Sequence, residues 1–229
     1  MLIRRITLSP RLAATASLVV GGGNIVDVGT DHAYLPAHLI LTKKIPFAIA
    51  SDVRRSPLDN ARDTVIKYKL QNKVDLRLSD GLKEISPDEV EEIVFAGMGG
   101  TLIAEKLKEC SWVKSKKHHF IFQPQSKAED LREYLYSNGF RINKELAVSE
   151  GNRYYITFDA YYTGEIKPFT LSDCFIGELP QTLEAKAHLR NQLNRLEKKY
   201  NALRRREDKA EEVKSLEFLI EDIKGFIYG

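Results

Sequence analysis

Along the first two-thirds of the chain, short apolar runs alternate with segments of helical period. The runs fall at residues 25–29, 47–52, 74–79, 92–97 and 119–124. They are too short for buried helices and rich in Val, Ile and Phe, which predicts buried strands. Between them, helices are predicted over 35–42, 57–69, 101–110 and 127–137. Such alternation predicts a parallel sheet with helices on both faces. Upstream, Ser9-Pro10 is a helix start, with serine at the cap and proline in the first turn. Leu12, Ala13, Ala16 and Val20 continue near helical spacing until Gly21-Gly22-Gly23 ends the segment.

The pattern then changes. Residues 142–149 and 153–162 read as two strands joined through Glu150-Gly151-Asn152, so the sheet should end in an antiparallel hairpin. Five parallel strands closed by a β-hairpin outline a seven-stranded, Rossmann-like sheet of the class I methyltransferase type. Beyond Thr163-Gly164 and Pro168 the chain turns helical. Leu189, Leu193, Leu196, Tyr200 and Leu203 form one heptad seam, and Val213, Leu216, Ile220, Ile223 and Ile227 a second. The polar stretch 204–212 separates them, which predicts a coiled-coil-like, antiparallel helical hairpin. A dimerising coiled coil is the alternative. Because the seams can pack on each other, the sheet should not need them. The division expected is 1–165 and 166–229.

Composition narrows the class. The chain has 229 residues, 43% hydrophobic and 29% charged, the balance of a soluble globular protein. There is no apolar run of membrane-spanning length, and residues 12–20 lack the cleavage site of a secretory leader. Cys110 and Cys174 stand far apart with no metal-ligand spacing, which predicts reduced thiols in a cytosolic protein. The net charge of +3 is mild, but it is unevenly spread. Between 186 and 209 lie nine Lys or Arg residues against Glu197, Glu207 and Asp208. Such asymmetry suits a phosphate backbone, although a solvated helix face would look alike.

The candidate chemistry sits at the strand ends. After the first strand the chain reads Gly29-Thr30-Asp31-His32-Ala33, where a pyrophosphate would need a glycine-rich turn. Asp27 and Asp31 favour a cationic ligand instead. S-adenosylmethionine carries a sulfonium and an ammonium and no phosphate. Asp31 could alternatively cap the next helix. Asp52 ends the second strand, where a carboxylate commonly accepts ribose hydroxyls; Ser56-Pro57 is expected to cap the helix that follows. Asp80-Gly81 ends the third strand, either as an ordinary turn or to bind an adenine amine. "FAGMGG" (95–100) is a tight turn, or a floor for cofactor and target base. It lacks the acid-or-asparagine-then-prolines pattern of exocyclic-nitrogen adenine methylation. "FQPQS" (122–126) could also face the pocket. His32 has no metal partners, and no metal site is expected.

In this order, "LSPRL", "DVGTDHAYLP", "SDV", "LSDGL", "GMGG" and "FQPQS", followed by a helical hairpin, resemble the bacterial tRNA (adenine(22)-N1)-methyltransferase family over essentially the whole chain. The resemblance implies S-adenosylmethionine as donor and N1 of an adenine in the tRNA D-stem/loop region as acceptor. On this reading 1–165 is the catalytic, cofactor-binding part and 166–229 a tRNA-binding hairpin. Asp31 is the candidate to offset the charge of the methylated base. Asp27, Gly29, His32, Asp52, Asp80, Gly81, Gly97 and Met98 are the candidate cofactor residues. Arg190, Arg195, Lys198, Lys199, Arg204, Arg205 and Arg206 are the candidate tRNA contacts. The expected protein is a cytoplasmic monomer without metal, dimerisation through the hairpin being the variant. The rival readings are a methyltransferase of another substrate and a non-catalytic RNA-binding or dimerising protein.

Overall fold

The computed structural model describes residues 6–229. Its first element is α1 (Pro10–Leu18), with Ser9 accepting the Leu12 N–H as predicted. Then come β1 (Ile25–Val28), α2 (Tyr34–Leu41), β2 (Ala48–Asp52), α3 (Arg55–Lys67), β3 (Val74–Leu78), β4 (Glu92–Ala96) and α4 (Gly100–Lys108). β5 (His119–Gln123), α5 (Ala128–Ser137), β6 (Phe140–Glu150) and β7 (Arg153–Tyr162) complete the sheet region. The sheet order is β3-β2-β1-β4-β5-β7-β6. β1 to β5 run parallel, and β7 pairs antiparallel with both β5 and β6.

Alternate residues of the strands face opposite layers. Val26, Ile49, Phe95, Phe120, Phe122 and Phe158 share a core with α4 and α5. Ile25, Ala48, Ala50, Val94 and Ile121 lie beneath α1, α2 and α3. The β6–β7 turn is two residues long, with Gly151 at φ +60° in its first position, one residue tighter than the sequence suggests.

Three features depart from expectation. The cap of α3 is Arg54, with no side-chain bond; the helix begins before Ser56-Pro57, so this pair does not cap it. A short helix, α6 (Leu171–Ile176), precedes the hairpin. Thr170 and Asp173 form its capping box. The hairpin itself, α7 (Leu183–Leu203) and α8 (Ala210–Tyr228), is antiparallel, with Lys224 and Lys199 of one arm or the other pairing to Glu197 and Glu212. Yet the seams do more than pack on each other. Ala185, Leu189 and Leu193 join one continuous core with Phe120, Ile156 and Phe158 of the sheet, so the sheet does use the hairpin. Only its far end, around Tyr200, Leu203 and Val213, is half-open to solvent.

Candidate functional site

The chain runs outward from β1 through β2 and β3, then returns to β4 on the other side of β1. At such a reversal an open sheet leaves a crevice at its carboxyl edge. Here it is a cavity of about 620 Å³, walled by α1 and by the turns after β1, β2, β4 and β5. A second cavity of about 400 Å³ lies beside β6 and the linker to α6. It holds none of the expected site residues.

Asp27 lies in the otherwise apolar β1 and is buried. Burial pushes its carboxyl up to about 6, and the Thr30 hydroxyl offsets only part of that. A desolvated acid with one neutral donor is a seat for an ammonium, which would restore its charged form. Gly29 and Thr30 then wrap over β2, both donating to the Ser51 carbonyl at 2.8 and 2.9 Å.

Asp31 follows, and it does not cap α2. The cap residue is Ala33, in the left-handed region at φ 51°, and its N–H is taken by Thr30 Oγ1 at 3.2 Å. Asp31 is left free at the cavity mouth, its side chain 68% exposed and 3.4 Å from His32 Nε2. Asn60 Nδ2 donates to its Oδ1 at 3.3 Å. His32 stacks on Tyr34, ring centroids 5.1 Å apart and planes 11° apart. Both rings line the same mouth.

Asp52 is buried at the end of β2. Its Oδ1 accepts from the Arg54 backbone at 2.8 Å and lies 3.5 Å from Arg54 Nε. Both contacts use one oxygen and leave Oδ2 for a ligand. Across the cavity, the loops after β4 and β5 are laced together. Gly97 N–H donates to the Gln123 carbonyl, Gln125 N–H to the Met98 carbonyl and Gly100 N–H to the Ser126 carbonyl, at 2.7–3.0 Å. Only glycine fits at 100, where a Cβ would stand 1.9 Å from the Lys127 carbonyl oxygen. Gly97 takes φ +91° and lines the cavity. This lacing explains why "GMGG" and "FQPQS" occur as a pair.

Of the expected cofactor residues, Asp27, Gly29, His32, Asp52 and Gly97 meet around the cavity, together with Asp31. Met98 does not line it but packs behind Gly29. Asp80 is drawn elsewhere. Hydrogen bonds from Lys106 and Lys83, at 2.8 and 2.5 Å, hold it on a separate hollow and its carboxyl below the ordinary range. Gly81 lies beside it, packed against Lys106. Arg11, Tyr34 and Arg54 line the cavity without having been singled out from the sequence. The Ser9-Pro10 cap was the available signal for Arg11, since it fixes where α1 begins.

None of the basic residues of the hairpin lines the cavity. Lys199 pairs with Glu212 at 2.8 Å and Arg206 with Asp208 at 2.9 Å. The Arg190 guanidinium lies 5.9 Å from the Tyr228 ring centroid. Arg195, Lys198, Arg204 and Arg205 are exposed and have no ion-pair partner among the described residues. Among the described residues no helix is long and apolar enough to cross a membrane, and no group of three or more His, Cys, Asp or Glu side chains is placed to hold a metal. Both cysteines are free.

Residues 8–158 match the methyltransferase domain family. The tRNA (adenine(22)-N(1))-methyltransferase of Bacillus subtilis is 34% identical over 153 residues, covering 67% of this chain and 64% of that protein. The match thus spans less than two thirds of the length of the curated relatives. Solved structures align further. A putative tRNA (m1A22) methyltransferase from Streptococcus pneumoniae, in complex with S-adenosyl-L-methionine, is 31% identical with a TM-score of 0.82, covering 97% of this chain and all of that one. The M1A22 tRNA methyltransferase of B. subtilis is 27% identical with a TM-score of 0.85, at 97% and 100% coverage.

Proposed function

This chain belongs to the methyltransferase domain family, among relatives named as tRNA (adenine(22)-N1)-methyltransferases, and from that premise we propose that it methylates N1 of adenine 22 in a bacterial tRNA. The observation that carries the reading is the cavity at the β1–β4 reversal. Its walls bring Asp27, Asp31 and Asp52 together and present no glycine-rich phosphate cradle. Such walls suit S-adenosylmethionine, which supplies an electrophilic methyl group when bound.

The chain's own residues do the rest. Asp27 seats the ammonium. Asp52 Oδ2 accepts ribose hydroxyls. The stacked His32–Tyr34 pair offers an aromatic face at the mouth to a base turned out of its pairing. Adenine N1 already bears an in-plane lone pair, so no base is needed before attack. Positioning is what the site must supply, and the laced loops after β4 and β5 give it a rigid floor. Methylation makes the base cationic, and Asp31 lies where it can offset that charge. Its influence grows once bound tRNA excludes water from the mouth. The free cations of α7 and the hairpin tip, Arg195, Lys198, Arg204 and Arg205, hold the tRNA backbone. A cytoplasmic location follows from that substrate. The α7–α8 seam, closed on itself and on the sheet core except at its tip, favours a monomer over a dimer through the hairpin.

The test is incubation of unmodified tRNA transcript with methyl-labelled cofactor, followed by nucleoside mass spectrometry. The expected product is 1-methyladenosine, absent when adenine 22 is replaced by guanine. Label on another nucleoside, or none, would overturn the reading.

A further inference from the structure

We propose that the projecting end of the β6–β7 ribbon is a second contact surface for the tRNA, with Arg153 meeting a backbone phosphate and Tyr154 stacking on an unpaired base. The inference rests on the tRNA reading above and extends it to a part of the fold with no assigned role. β5 pairs with β7 from His119 opposite Tyr161 to Phe122 opposite Phe158, so its last residue, Gln123, falls opposite Thr157. Residues 153–156 run on past it, paired to β6 alone, a further rise of about 13 Å at the strand repeat. The carboxyl edge of the sheet, where the cavity opens, therefore carries a two-stranded ribbon standing above it. Its tip is in open space: a side-chain carbon built on Gly151 meets nothing within 4 Å.

The ribbon is held from both sides, and its two faces differ. Tyr155 and Thr157 face α1. Thr157 Oγ1 lies 3.5 Å from Thr15 Oγ1, and the Arg11 guanidinium stands 5.7 Å from the Tyr155 ring centroid. Ile156 and Phe158 face the other way, into the core shared with Leu189 of α7. By the same alternation Arg153 belongs to the α1 layer, which walls the cavity, and Tyr154 to the α7 layer. His188 fixes the latter, its Nδ1 donating to the Tyr154 carbonyl at 3.3 Å. Burial pushes the His188 ring down to about 4, so at neutral pH it is an uncharged donor.

The exposed groups suit RNA. Arg153 is exposed and has no ion-pair partner among the described residues. Glu150 lies opposite it in register but is taken by Arg11, whose backbone N–H it accepts at 3.0 Å. Tyr154 is 38% exposed, and a flat ring beside a free cation is the pairing with which proteins hold unpaired nucleotides. Cations continue from there along α7. Arg195 follows His188 by seven residues, two turns on along the same face and about 10.5 Å away along the axis. Lys198 follows within a turn. Arg153 thus links the cavity mouth to the free cations of α7 in one basic track, with the ribbon between them.

Binding of unmodified tRNA transcript is measured at several salt concentrations for wild type, Arg153→Gln, Tyr154→Leu and Tyr154→Phe. Calorimetry with S-adenosylmethionine, thermal unfolding and sedimentation of the protein alone accompany it. Arg153→Gln should bind tRNA severalfold weaker and lower the slope of log affinity against log salt by about 1, the counterions of one phosphate. Tyr154→Leu should bind about fivefold or more weaker with the wild-type slope, as for loss of a base stack, and Tyr154→Phe should bind as wild type does. All three should keep the wild-type cofactor affinity and unfolding temperature. Wild-type tRNA affinity in both Arg153→Gln and Tyr154→Leu overturns the surface. So does a loss shared with the cofactor, which would mean that the ribbon acts through α1 and the cavity. A change in the sedimentation of the protein alone would make the ribbon a protein interface and overturn it too. Wild type that binds no tRNA would instead remove the tRNA reading itself.

Discussion

At the scale of single residues the site is acidic by design of its environment, and each acid has its own demand. Asp27, raised to about 6 by burial, binds a proton more tightly folded than unfolded. Its raised value favours the folded state fully below pH 4. That contribution is lost as pH rises through 6, on the order of 3 kcal/mol. Cofactor binding should run the opposite way, because an ammonium needs the charged carboxylate. Affinity should tighten as pH rises through 6, with proton release seen by calorimetry in buffers of different ionisation enthalpy; a flat profile would show that Asp27 does not meet the ammonium. Asp52→Ala should weaken the cofactor by about 1.5–3 kcal/mol, the worth of hydrogen bonds to a charged acceptor, and leave the tRNA affinity alone. Asp31 acts later. Since it does not cap α2, Asp31→Asn should leave thermal stability almost unchanged. Single-turnover methylation at saturating cofactor should fall steeply, because the charge it would answer is absent from the bound base and develops as the methyl group is transferred. A near-wild-type rate would remove Asp31 from the chemistry.

At the scale of elements, two buried ionic joints hold the edges that the apolar pattern leaves unspecified. His119 opens β5 between Glu92 of β4 and Asp159 of β7, at 2.8 and 2.9 Å. Burial opposes its charge, but hydrogen bonds to Asp159 and Glu92 outweigh it and hold His119 above its ordinary value. Its stabilisation is complete below pH 6.5 and is lost as pH climbs through the folded value. The melting temperature should therefore decline above neutrality, and His119→Gln should flatten that decline while lowering stability at pH 6. The second joint is Arg132, bidentate on Glu145 at 2.8 Å and donating to the Cys174 carbonyl at 2.8 Å. It ties α5, β6 and α6 together. Arg132→Met strands a buried carboxylate and should cost about 3–5 kcal/mol in urea unfolding. Neither joint was legible in the sequence. Alternation and period report which faces are apolar, and so placed β1 to β7 within a residue or two. They say nothing about which distant charges meet. The same limit hid the Asp80 pairing with Lys106 and the place of Arg11 in the cavity wall, since both depend on how neighbouring strand ends and helices converge.

At the scale of the whole molecule, the hairpin divides into a rooted part and a projecting part. Seam residues were readable as heptads, but a heptad does not say what lies beside it. Leu189 and Leu193 face the sheet core as well as α8, whereas Tyr200, Leu203 and Val213 near the tip are only half-buried. Removing everything past residue 165 would uncover Ile156 and Phe158 and should destabilise the body, so that cut cannot isolate a tRNA-binding role. A cleaner one exchanges charge at the tip alone. Arg204 and Arg205 are exposed and unpaired among the described residues, while Arg206 is already held by Asp208. Arg204→Glu with Arg205→Glu should therefore leave unfolding and cofactor affinity unchanged. tRNA binding should weaken severalfold, and the slope of log affinity against log salt should shrink by about 2, because two fewer phosphates release counterions. Arg206→Ala should do much less, its charge being shared with Asp208. If the double variant binds tRNA with the wild-type salt slope, the tip does not touch the backbone. The grip would then fall to Arg195 and Lys198, which follow the stretch of α7 that is rooted in the sheet core.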